Sequence, residues 1–69
     1  MEQMTLRAAR VNADLSQIEA AEKLGVAPST LRNWESGKTS PKQYQVSKIC
    51  MLYGIHFDRI FFGKALAKS

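Results

Sequence analysis

The fold is decided by the run Ser16-Gln17-Ile18-Glu19-Ala20-Ala21-Glu22-Lys23-Leu24-Gly25-Val26-Ala27-Pro28-Ser29-Thr30-Leu31-Arg32-Asn33-Trp34-Glu35-Ser36-Gly37. Ser16 and Glu19 have the spacing of a capping box, in which the hydroxyl accepts from the Glu19 amide and the carboxylate accepts from the Ser16 amide. Leu15, just before the cap, is placed to pack on Ala20. Gly25 supplies the positive φ of a tight turn, so the helix stops at Leu24 and Val26 follows as an inward hydrophobe. Pro28 opens the next helix, where its missing N–H costs nothing. Leu31 and Trp34 then recur at i and i+3 on one face until Gly37 ends it. Ala21 is small where the two helices must cross closely. The pattern over residues 17–36 is that of two short helices held at a fixed angle by a tight turn.

Working outward, Thr5 caps a first helix through Leu6, Ala9 and Arg10 to about Ala13, with Asp14 as its left-handed terminator. Beyond the polar loop Ser36-Gly37-Lys38-Thr39-Ser40, the run Ser40-Pro41-Lys42-Gln43 combines a Ser cap, Pro at the first position and Gln at the third, which predicts a fourth helix starting there. Val46, Ile49, Cys50 and Tyr53 form its buried stripe and Gly54 its stop. A last short helix carries Phe57, Ile60 and Phe61. No segment shows the period-two alternation of a strand, so the expected fold is all-α: five short helices in a single domain over residues 1–69.

At 69 residues the chain is expected to hold one core, with function on its outer surface. Ten Lys and Arg against six Asp and Glu give +4 and a pI near 9.6, which makes nucleic acid a candidate partner. One cysteine, Cys50, and one histidine, His56, form neither an internal disulfide nor a Cys-based zinc site, so no metal and no cofactor is expected. Cys50 reads as a small core hydrophobe and His56 as a helix-start residue. With no activated nucleophile and no paired acid and base, the chain reads as a non-enzyme. The longest apolar runs are far short of the ~20 residues of a membrane span, and the first ten residues lack a secretory apolar stretch. The expected location is cytoplasmic, without a membrane partner or an evident small-molecule ligand.

The residues left on the outer face of the 28–36 helix, with Ala27 before it, are short or hydrogen-bonding: Ala27, Pro28, Ser29, Thr30, Arg32 and Asn33. Such a set suits the major groove of DNA. Arg pairs with guanine O6 and N7, Asn with adenine N6 and N7, Ser reads either, and Ala or Pro touches a thymine methyl. Trp34, three residues from Leu31, reads as core. Lys38, Thr39, Ser40, Lys42, Gln43 and Tyr44 follow as candidate phosphate contacts. Between Arg32 and Lys48, four cations stand against Glu35 alone, placing +3 of the net +4 in that segment.

From Leu6 to Gly63 the chain resembles the lambda-repressor-like, Cro/CI-type (XRE) helix-turn-helix family. The resemblance rests on Leu15-Ser16-Gln17, Ala20 through Val26, Leu31 through Lys38, Pro41, and Gly54-Ile55 with Asp58, Ile60 and Phe61. It implies the five-helix fold of that family with its motif at helices two and three. It also implies that Gln17 binds phosphate and braces the recognition helix, and that Arg10 and Glu35 form a partly buried structural salt bridge. Pro28 stands where several members carry a side chain that reads adenine, which shifts discrimination toward Ser29, Arg32 and Asn33. His56 replaces the usual Ser or Thr cap, and Asp14 a common Gly. The function implied is sequence-specific double-stranded DNA binding by a transcriptional regulator, a phage or bacterial repressor in the cytosol and nucleoid. It would bind a two-fold operator as a homodimer, with Phe57, Arg59, Phe61 and Phe62 as dimer contacts. An antitoxin or protein-interaction adaptor that retains the fold is the alternative.

Overall fold

The computed structural model describes residues 4–61, with Phe61 described by its backbone alone. Four α-helices follow a two-residue strand: β1 (Met4–Thr5), α1 (Leu6–Asn12), α2 (Gln17–Leu24), α3 (Pro28–Ser36) and α4 (Gln43–Tyr53). A single 3₁₀ turn (Phe57–Arg59) and a second short strand, β2 (Ile60–Phe61), complete the described chain.

The helix boundaries follow from local chemistry. Thr5 Oγ1 accepts from the Ala8 amide at 3.0 Å to start α1, and Asp14 takes a left-handed φ of 61° just beyond its end. The capping box of α2 is closed on both sides. Glu19 N donates to Ser16 Oγ at 3.0 Å, and Ser16 N donates to Glu19 Oε1 at 2.9 Å. That backbone hydrogen bond holds the Glu19 carboxyl below its ordinary pKa, with help from the Ser16 side chain. Gly25, Gly37 and Gly54 end α2, α3 and α4 in the left-handed conformation.

Two expectations are corrected. The fourth helix does not start at Ser40-Pro41. Lys42 is its N-cap, because Gln45 Oε1 accepts from the Lys42 amide at 2.8 Å while Pro41 is buried ahead of the helix. The fifth helix is reduced to the 3₁₀ turn, since Ile60 extends at φ −106°, ψ 133° and joins a parallel bridge that pairs Met4 with Ile60 and Thr5 with Phe61. His56, at the cap position, makes no side-chain cap hydrogen bond that would help a longer helix form.

The core is Leu6 and Ala9 from α1, Ala20, Ala21 and Leu24 from α2, Leu31 and Trp34 from α3, and Val46, Ile49 and Tyr53 from α4, closed by Ile60. Cys50 is only half-buried beside this stripe, and burial pushes its thiol pKa up, away from the thiolate that reactivity requires. Among the described residues no helix is long and apolar enough to cross a membrane, and no cluster of side chains could hold a metal ion.

Candidate nucleic-acid interface

The orientation of α3 is set from beneath. Ala20 and Ala21 are fully buried on α2, the helix that packs against α3, and a side chain without γ atoms lets a neighbouring backbone approach. The turn between the helices is closed by Val26 N donating to Ala21 O at 3.0 Å and Gly25 N to Glu22 O at 3.2 Å. Leu31 at 0% exposure and Trp34 at 5% fix the inner face of α3. Ala27, Pro28, Ser29 and Arg32 are consequently exposed on the opposite side, with Thr30 and Asn33 half-buried at its edges.

A polar tie adds to this packing. Arg10 Nε on α1 donates to Glu35 Oε2 on α3 at 2.7 Å, with the two side chains 10% and 6% exposed. Arg10 Nη1 donates to Leu15 O at 2.8 Å, and Arg10 Nη2 lies 3.4 Å from Glu35 Oε1. The same Oε1 accepts from Gln17 Nε2 at 3.0 Å. One carboxylate thus joins α1, the first residue of α2 and the last turn of α3. Gln17 keeps its second N–H and its carbonyl oxygen free of side-chain bonds among the described residues.

The end of α3 is pinned to the following loop through a single carbonyl. Asn33 O accepts from Lys38 N at 3.0 Å, Thr39 N at 3.3 Å and the Ser36 hydroxyl at 3.1 Å. This holds the loop backbone in place beside α3 and leaves Lys38, Thr39, Lys42, Gln43 and Tyr44 exposed, with Ser40 half-buried. Phe57 and Arg59 are exposed on the 3₁₀ turn, remote from α3 in sequence. The Phe61 side chain and Phe62 lie outside the described residues.

Two charges depart from the linear count. Lys48 Nζ reaches Leu24 O at 3.5 Å, at the carbonyl end of α2, where a cation complements the helix dipole. It is engaged with α2 rather than with the outer face of α3. Arg7, far upstream, is brought instead to a cleft of about 540 Å³ lined by Arg7, Arg10, Gln17, Arg32, Glu35 and Ser36 with Ser16. The spacing of Arg7 from Arg10 on one helix was the available signal, but it has meaning only once α1 is packed beside α3.

A helix-turn-helix family model matches residues 6–60 of the chain. Among curated proteins, the cryptic phage CTXphi transcriptional repressor RstR of Vibrio cholerae is 40% identical over 50 residues, which cover 72% of this chain and 45% of that protein. The chain therefore spans about half the length of this relative. No solved structure matches.

Proposed function

Because the chain belongs to the Cro/CI-type (XRE) helix-turn-helix family of DNA-binding transcriptional regulators, we propose that α3 enters the major groove and reads an operator, with repression as the outcome. The observation that carries this reading is the rigid outer face of α3. Packing of Leu31 and Trp34, together with the Glu35 tie, presents Ser29 and Arg32 at a fixed angle. Arg32 pairs with guanine, Asn33 with adenine, Ser29 and Thr30 read at the near end, and Ala27 and Pro28 make apolar contact with a thymine methyl. Lys38, Thr39, Ser40, Lys42, Gln43 and Tyr44 hold the backbone on one side and Gln17 on the other.

The chain acts as a single domain over residues 1–69 and pairs into a homodimer on a two-fold site, through a face that includes Phe57, Arg59, Phe61 and Phe62. Support for that face comes from Met51 and Phe57, which are 83% and 53% exposed and line one shallow apolar groove with Cys50 and Ile55. Sedimentation of the chain with its operator as two copies per duplex is the expected result.

Substitution separates readers from anchors. Arg32→Ala should cost about 1–3 kcal/mol and relax preference at one base pair, whereas Lys38→Ala should weaken every duplex evenly and lower the salt slope by about 1. Uniform loss in both variants would reduce Arg32 to a phosphate contact. Affinity that barely responds to salt would favour the antitoxin or adaptor reading.

A further inference from the structure

We infer that Arg7 is a further DNA-backbone contact, its guanidinium holding one phosphate at the cleft between α1, the start of α2 and α3, where the charge of Arg32 adds to the attraction. This rests on the operator-reading role proposed above and extends its footprint to a helix outside the helix-turn-helix motif. The cleft is lined by Arg7, Arg10 and Arg32 against Glu35 alone, and Arg10 and Glu35 neutralise each other in their buried pair. The net +2 facing solvent therefore belongs to Arg7 and Arg32, both exposed, and neither side chain makes a hydrogen bond or ion pair among the described residues.

Between them, Gln17 retains one N–H to donate. Glu19, in the first turn of α2, is folded back on the Ser16 amide. The two guanidinium groups add their fields across this shallow depression, and a planar fork of this kind matches the paired oxygens of a phosphate. Arg32 stands on both the cleft and the outer face of α3, so an anion seated in the cleft is continuous with a duplex lying against α3. That continuity favours a phosphodiester over a free anion or an acidic peptide.

The test is a salt titration of the full chain with a short mixed-sequence duplex, followed by fluorescence anisotropy, comparing wild type with Arg7→Gln and Arg7→Lys. Loss of one phosphate contact lowers the slope of log K against log salt by about 0.9, which is about an eightfold loss of affinity at 0.1 M from counterion release alone. Arg7→Gln should show that loss equally on any duplex, while Arg7→Lys keeps the slope. A wild-type slope and affinity in Arg7→Gln, alongside a loss in Arg32→Gln, overturns the inference and leaves the operator reading standing. Equal losses in Arg7→Lys and Arg7→Gln trace the effect to something other than charge and overturn it as well. Absence of duplex binding by the wild type removes both readings together.

Discussion

Glu35→Ala tests how the outer face of α3 is held. The substitution deletes the acceptor of Arg10 Nε at 2.7 Å, of Arg10 Nη2 at 3.4 Å and of Gln17 Nε2 at 3.0 Å. Arg10 remains 8% exposed with Leu15 O as its surviving partner at 2.8 Å. An uncompensated charge in that position costs about 3–5 kcal/mol. A chain of this length has about 3–10 kcal/mol of stability in total, so the loss takes between about a third and all of it. The double substitution Arg10→Met with Glu35→Leu removes both charges. It should fold within about 1–2 kcal/mol of wild type, the residue of the cost falling on the Leu15 carbonyl that loses its donor. Urea unfolding followed by the fluorescence of Trp34, the sole tryptophan and 5% exposed, reads these differences directly. A loss below about 1 kcal/mol in Glu35→Ala, with an unchanged m-value, would show the pair to be screened like a surface ion pair and would refute the reasoning.

Ala21→Leu should destabilise by about 1–3 kcal/mol, because its 1% exposed methyl lies in the core, where a larger side chain must displace its neighbours; an unchanged urea midpoint would show that the core accepts the added volume. Gly25→Ala should cost about 1–2 kcal/mol from backbone strain alone, since φ is 75° and nothing lies within 4 Å of a Cβ built there. Gly25→Asn should recover part of that loss, and equal stabilities for all three would contradict a left-handed turn. Tyr53 has its hydroxyl buried without a partner, and burial, followed by the Glu35 charge, pushes its pKa up to about 12, with Arg10 opposing. The fold therefore holds the phenol proton more tightly than the unfolded chain, whose value is near 10.0. The stability linked to it is complete below that pH and is lost as pH rises toward about 12. Tyr53→Phe should be at least as stable as wild type at neutral pH and should lose less stability across that alkaline window; an equal loss in both proteins would assign the effect to other groups.

What the sequence made legible was chemistry that closes within a turn of helix. Ser16 with Glu19, Asp14, Gly25, Pro28 and Gly37 each act on backbone groups a few residues away, so their effects appear in the residue order itself. The start of α4 was ambiguous, because Ser40 with Gln43 and Lys42 with Gln45 both fit a helix start. The choice between them goes with the burial of Pro41, a tertiary matter. The end of the chain misled for a related reason. Ile60 becomes a strand by pairing with Met4 at the far end of the described chain, and a two-residue strand has no alternation to detect. Charge was legible as a sum and not as a map, since packing draws Lys48 to the end of α2 and brings Arg7 beside Arg32.

The proposed reading of a specific duplex by α3, as one half of a symmetric pair, is put to the test by selecting bound sequences from a random double-stranded pool. Enrichment of a two-fold sequence is expected, its half-site centres about 34 Å apart, one turn of B-DNA, with the preferred base at one position lost in Arg32→Ala. A pool that emerges without an enriched sequence, although the protein is folded and at saturating concentration, would contradict it.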